Sequence, residues 1–386
     1  MNAKERVRAA INRQPVDRIP LGFYCADCDT VERVIGRKTF VRNKIGIQLA
    51  IWEGRRDEVV ESLKADSVEF YQKINTVDLL TYKEAQTVPT KDYVPDPPKK
   101  IADDLWEDKR GRVFKASYLS NELVCVHDPN KRDVDDFTPE MFPDPTEEDL
   151  APPDPSQFEA WDHFVDVFAN DRYIAGHSGG MVALTQVGGQ ESGLMMYVLK
   201  PEVVHAASRR AVKIAEARDR QNIHPRQDGV LFDQDMAGTN GPMISPKLFR
   251  EHCLPYMKQR VAHVKSFGQQ ILLHNCGDNR LLMSMFVEAG IECYQSLQTN
   301  AGMTLENLQR DFSDHIVFWG GLAVENLIEG TPDDVRRNVR EAMEKGSEAP
   351  GFILGPSHSI AYGTKYENFM AMLDEHDTLA GRLAAV

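Results

Sequence analysis

From about residue 228 onward the chain repeats one pattern: a short apolar run, polar residues at its end, then an amphipathic stretch opened by a capping residue. Asp228-Gly-Val-Leu-Phe232 runs into Asp233-Gln234-Asp235. Ser245-Pro246 then opens a helix, with serine as N-cap and proline in the first turn. It is expected to reach Gly268, with Leu248, Phe249, Leu254, Met257, Val261 and Val264 on its apolar side and a kink at Pro255. Residues 269–273 form the next apolar run and lead into His274 and Cys276. A helix follows over 279–289, stopped by Gly290. Residues 291–294 lead into Gln295 and Gln298, and Thr304 caps a helix to Phe312. Residues 315–319 end in Gly320-Gly321. Thr331-Pro332-Asp333-Asp334 opens a helix that closes near Gly346, and residues 351–354 end in Pro356-Ser357-His358.

Five strands alternating with helices imply parallel βαβ units. With every polar candidate at a carboxyl strand end, a (β/α)8 TIM barrel is the natural fold, because its site is assembled there from several strands. An open doubly wound sheet is the competing architecture. It would carry a glycine-rich phosphate turn after its first strand, and neither G-x-G-x-x-G nor G-x-x-x-x-G-K-[ST] occurs.

The amino-terminal half is less regular. Residues 3–13 suggest a helical extension with Val7, Ala10 and Ile11 on one side, and residues 18–24 an entering strand. A helix over 57–64 precedes Ser67-Val-Glu-Phe-Tyr71, taken as the first barrel strand. On that assignment Glu69 and Tyr71 sit at its functional end and could face substrate, while Asp66 lies at the opposite end. Residues 85–155 hold eleven of the 21 prolines and cannot carry barrel helices. They are expected to form an insertion, with a hairpin through 111–114 and 123–126 and a loop covering the barrel. Tyr173-Ile-Ala-Gly176 resumes the barrel and ends in His177-Ser-Gly-Gly180. A helix begins at Pro201 and runs to about Ala217. The whole chain, 1–386, is expected to be one domain.

A net charge of −14 argues against an electrostatic nucleic-acid surface and fits a solvated acidic exterior. No apolar run approaches the roughly 18 residues of a membrane span. Met1-Asn-Ala-Lys-Glu-Arg leads into a charged helix, so no signal peptide is expected. Six cysteines without such a signal suit reduced thiols in the cytoplasm.

The chemistry concentrates in Ile271-Leu-Leu-His-Asn-Cys-Gly277. Strand residues i and i+2 share a face, so His274 and Cys276 can converge on one point. Nitrogen and sulfur donors suit zinc, although a buried strand end with a small thiol would read the same. Asp233 and Asp235 also share a face, where one could orient substrate or a ligating imidazole, or simply cap loop amides. His177, beside Gly179-Gly180, could line the cleft, and Gln295 and Gln298 could bond substrate. Cys25-Ala-Asp-Cys28 has no second pair, which leaves two incidental thiols as the simpler reading.

Lys4-Glu-Arg-Val-Arg-Ala-Ala-Ile-Asn-Arg-Gln-Pro-Val-Asp-Arg-Ile-Pro20 resembles the start of proteins of the uroporphyrinogen decarboxylase superfamily. Gly241-Pro-Met-Ile-Ser-Pro246, His274-Asn-Cys-Gly277, Trp319-Gly-Gly321, Gly330-Thr-Pro332 and Gly355-Pro-Ser-His-Ser-Ile360 follow in the same order. The resemblance implies a TIM barrel and leaves two chemistries open. Uroporphyrinogen decarboxylase itself is cofactor-free, and its R-Q-A-G-R segment binds the carboxylates of a tetrapyrrole. Here Leu-Gly-Phe-Tyr-Cys-Ala-Asp-Cys28 follows Pro20 and contains no arginine, so the guanidinium forks such a substrate needs are missing there.

The other branch, the cobamide-dependent methyltransferases, holds zinc through an H-x-C pair and a further cysteine. His274 and Cys276 match the pair, and His358 stands where that cysteine would be. The resemblance thus implies a zinc- and corrinoid-dependent methyltransferase, with the corrinoid on a partner protein and a small-molecule methyl donor or acceptor. A His2Cys set leaves the metal a stronger Lewis acid than HisCys2 would. The alternatives are a cofactor-free decarboxylase, with Asp233 or Asp235 and His358 handling protons, and a non-catalytic corrinoid- or tetrapyrrole-binding barrel. The oligomeric state stays open, a homodimer being one option.

Overall fold

Val230-Leu-Phe232, Ile271-Leu-Leu273 and Phe352-Ile-Leu354 are apolar without interruption and fully covered, as strands buried on both faces must be. The computed structural model describes residues 1–383. Its strands in chain order are β1 (Leu79–Thr81), β2 (Lys99–Ala102), β3 (Leu105–Glu107), β4 (Val113–Ser117), β5 (Glu122–His127), β6 (Tyr173–Gly176) and β7 (Gly229–Asp233). Then come β8 (Ala237–Gly238), β9 (Gly241–Pro242), β10 (Gln270–His274), β11 (Cys293–Gln295), β12 (Val317–Leu322) and β13 (Phe352–Pro356). Seven of them form one parallel sheet, in the order β1-β6-β7-β10-β11-β12-β13, curved into a half-barrel with helices outside. The extended segment after Pro20 touches both edges of this sheet: Leu21 bridges Leu354 of β13 and Gly22 bridges Leu79 of β1.

The capping residues stand where the sequence puts them. Ser245, Thr304 and Thr331 each accept a backbone N–H from the first turn of their helices, and Gly290 ends its helix in the left-handed conformation. The stretch over 245–268 is two helices, Pro246–His252 and Leu254–Lys265, parted at Cys253. Pro255 has no N–H to offer the preceding turn, so it opens the second helix instead of kinking one.

The first barrel strand is a correction. Ser67-Val-Glu-Phe-Tyr71 lies inside the helix Arg56–Lys73. Its buried residues Val59, Leu63, Ser67 and Phe70 follow one another at three- and four-residue steps, a helical period that outweighs local β preference. The strand is Leu79–Thr81. Glu69 therefore pairs with Arg37 and Lys73 on a helix surface, and Tyr71 is buried among Phe70, Phe164 and Phe168. Neither stands at a strand end.

The proline-rich stretch carries more than a hairpin. β2 to β5 form a four-stranded antiparallel sheet, and Trp106 and Ala116 pack it against Ile45 of the helix Lys44–Trp52. Further on, the carbonyls of Arg132, Asp135 and Phe137 accept hydrogen bonds from Ser192 and Lys200. The insertion is thus held to the helix Lys44–Trp52 and to the segment that carries Ser192 and Lys200.

Inside the curve of the sheet, Leu79, Tyr173, Ala175, Leu231, Leu272, Cys293, Val317, Trp319 and Ile353 form one cluster with Val7, Ala10 and Ile11 of the helix Ala3–Ile11. That helix closes the amino-terminal end of the strands. Arg6 pairs with Asp78 at the start of β1, and Lys4 and Arg8 with Asp228 at the start of β7. Both carboxylates are about 1% exposed.

Candidate functional site

Register places the chemistry. Leu272 of β10 pairs with Leu231 of β7 and Cys293 of β11, and two residues on His274 pairs with Asp233 and Gln295. Because side chains alternate along a strand, an apolar layer of Leu231, Leu272 and Cys293 carries directly above it a polar layer of Asp233, His274 and Gln295. This is the carboxyl end of the sheet.

His274, Cys276 and His358 offer ligand atoms that all lie within 4.8 Å of one another. His274 Nε2 is 3.4 Å from the Cys276 sulfur, and the two imidazole centroids are 5.3 Å apart. The H-x-C pair and a histidine 82 positions further along the chain thus converge as the strand-end logic expects. Gly277 makes the turn after Cys276: its φ is +85°, and a Cβ there would lie 2.6 Å from the Ala237 carbonyl oxygen. The Cys276 N–H donates to Asp235 at 2.8 Å, and the Gly277 N–H donates to Gln298 Oε1 at 2.9 Å.

Electrostatics leave the three donors uncharged. Burial, against the opposing field of Asp233, takes His274 down to about 4. Burial also lowers His358, although Asp235 and Asp27 pull the other way. Burial and Asp235 push the Cys276 thiol up to about 12. Two neutral imidazoles and a thiol in one cleft could hold a metal ion, and a divalent cation would reverse the penalty on the thiolate.

Around this cluster stand residues that sequence reasoning missed. The Tyr24 ring lies flat on His274, with centroids 3.6 Å apart, and its hydroxyl donates to Asp233 at 2.5 Å. Lys83 also pairs with Asp233, and its ammonium is 4.8 Å from the centroids of both the Tyr24 and Tyr82 rings. Despite the burial that opposes it, the field of Lys83 and the hydrogen bonds from Lys83 and Tyr24 hold Asp233 below the usual carboxylate range. An expected first strand at 67–71 hides Lys83; the signal in the sequence is Val77-Asp-Leu-Leu80 just upstream, apolar but for Asp78.

The remaining candidates fare differently. Burial, with Lys83 second, takes His177 down to about 3; the ring is tilted 4.1 Å from Tyr82, and its buried Nε2 has no protein partner. Its loop is clamped, with Gln227 donating to the His177 carbonyl and Gly179 N–H to Asp219. Gln295 was expected to bond substrate, but it is 0% exposed and its amide is committed to His274, Pro356 and His358. The six cysteines are free thiols, and Cys25 and Cys28 are buried singly without a bond between them.

A barrel-like parallel sheet with its polar layer at the carboxyl end defines the class of protein. The uroporphyrinogen decarboxylase (URO-D) family model matches residues 173–379, more than half of the chain, and the chain belongs to that family. Among solved structures, a methyltransferase from Methanosarcina mazei superposes with a TM-score of 0.64 at 16% identity, over 98% of this chain and 99% of that one. At that identity the likeness speaks for the fold. No curated protein sequence matches significantly. No helix among the described residues is long and apolar enough to cross a membrane.

Proposed function

We propose that the protein is a zinc- and corrinoid-dependent methyltransferase of this family, moving a methyl group between a corrinoid carried on a separate cytoplasmic protein and a small acceptor or donor. The observation that carries this reading is the His274–Cys276–His358 cluster, three donors of zinc-binding type within 4.8 Å at the carboxyl end of a parallel sheet. The methyltransferase of the same fold supports it. Residues 20–22, touching both edges of the seven-stranded sheet, would serve as the eighth stave of a (β/α)8 barrel spanning the whole chain.

His274, Cys276 and His358 would hold the metal, and zinc so bound lowers the pKa of a thiol or similar acceptor. Asp235, bonded to the Cys276 N–H, fixes the ligand loop. Asp233 holds the Tyr24 proton and the Lys83 cation at the wall of the cleft, where a charge change on substrate would be felt. His177 brings an imidazole nitrogen that no protein group meets, and Gln298 steadies the Gly277 turn with its Nε2 left to meet a ligand.

Purified protein should carry about one zinc per chain. Cys276→Ser should lose most of it and with it thiol methylation from methylcobalamin. Full methyl transfer by metal-free, folded protein would overturn the proposal. The second reading, a cofactor-free decarboxylase, draws on the family description; formation of coproporphyrinogen from uroporphyrinogen would put it first.

A further inference from the structure

Gln295 is hydrogen-bonded to both histidine segments of the cluster. It leaves β11 at the level of His274 and is 0% exposed. Its Nε2 donates to two backbone carbonyls, Pro356 at 3.3 Å and His358 at 3.1 Å. Carbonyl oxygens only accept, so the NH2 end of this amide must face them. The opposite end, Oε1, therefore faces His274 Nδ1, with which it is hydrogen-bonded. An amide oxygen has no proton to give. The proton of that bond belongs to Nδ1, and a neutral imidazole protonated at Nδ1 carries its lone pair on Nε2.

Nε2 is the atom 3.4 Å from the Cys276 sulfur. The carbonyl that Gln295 holds on its other side belongs to His358 itself. One buried amide thus selects which nitrogen of His274 is available and anchors the backbone from which His358 projects. Tyr24 completes the mount by lying on the imidazole face at 3.6 Å. Gln295 takes the Nδ1 edge and Tyr24 covers one face, which leaves Nε2 as the nitrogen that faces Cys276.

We propose that Gln295 is a positioning residue for metal binding. It presets the Nδ1–H tautomer of His274 and ties the strand end of His274 to the loop of His358, so that the two imidazoles face the thiol before any cation arrives. This inference rests on the zinc reading of the cluster. It predicts a tautomer already present in metal-free protein, which no substrate-binding role for Gln295 requires.

The test has two independent arms. Nitrogen-15 NMR of metal-free wild-type protein should show His274 as a single neutral tautomer protonated at Nδ1. In Gln295→Leu, which keeps the bulk and removes both ends of the amide, that signature should give way to a mixture. In Gln295→Glu it should persist, because a carboxylate oxygen still accepts from Nδ1 and the smaller change guards against a leucine variant that fails to fold. In the second arm, zinc itself is titrated against a chromophoric chelator. Gln295→Leu should bind zinc about 10- to 100-fold more weakly than wild type, the usual effect of losing a partner that orients a ligating histidine, and Gln295→Glu should recover only the part owed to the His274 tautomer, because a carboxylate cannot donate to the Pro356 and His358 carbonyls. An Nε2–H tautomer in wild type, or a leucine variant that matches wild-type zinc affinity, overturns the inference. A wild type that binds no zinc overturns the proposed function instead, and the tautomer arm still decides what Gln295 does to His274.

Discussion

Lys83 stands on β1's exit with an ammonium near two tyrosine rings and a carboxylate against it. Its partner Asp233 is less than one-third exposed, and removing one member of such a pair leaves the other poorly solvated. Lys83→Met should destabilise the protein by about 1–3 kcal/mol at neutral pH. The pH dependence has a definite sign. The folded pKa of Asp233 lies below its unfolded value of about 3.9, so the pair's contribution is fully present above that value and is lost as pH falls through the lower, folded one. Denaturation midpoints of wild type and variant should differ most at pH 7 and converge in strong acid. A gap that widens on acidification would contradict this.

At the scale of elements, the loop 177–180 is held by an ion pair with no solvent access at all. Arg260 and Asp219 are both 0% exposed and bonded at 2.6 and 2.9 Å. Asp219 also accepts the Gly179 N–H and Arg260 donates to the Gly180 carbonyl. Asp219→Ala strands a buried guanidinium and should cost about 3–5 kcal/mol, with faster hydrogen exchange at the Gly179 amide. Exchange that stays at the wild-type rate would show that the loop is held by something else.

At the same scale, part of the site is legible in the amino-acid sequence alone. His274 and Cys276 are legible because strand alternation and carboxyl-end placement are local rules that survive folding; for His358 these rules give only a strand end, and the family resemblance joins it to the pair. Gln295 was recognised as polar and at a strand end, but its direction depends on what two neighbouring segments present to it, and no local rule carries that. Ser67-Val-Glu-Phe-Tyr71 misled because β-branched and aromatic residues also line buried helix faces. The helical spacing from Val59 onward was the better guide. β2 and β3 escaped notice because Lys99-Lys-Ile-Ala102 is exposed along its length and shows no alternation to read.

In the whole molecule, stability and chemistry sit at opposite ends of the strands. The helix Ala3–Ile11 packs Val7, Ala10 and Ile11 into the inner core, and Lys4, Arg6 and Arg8 neutralise Asp78 and Asp228. Deleting residues 1–12 would uncover that core, strip Asp228 of Lys4 and Arg8 and leave Asp78 with Arg18 alone, so the unfolding temperature should fall in calorimetry, while His274, Cys276 and His358 are untouched. An unchanged unfolding temperature would mean the helix is an ornament on an already closed core.

That stopper has a logistical consequence. With the far end plugged, the cleft is a room with one door, and every visitor to His274, Cys276 and His358 must use the same side. A small methyl acceptor would then have to enter before a bulky corrinoid carrier covers the threshold. Turnover under the proposed function should follow ordered, sequential kinetics through a complex that holds both, because the methyl group passes directly between them, and an excess of the carrier should block the doorway against the acceptor.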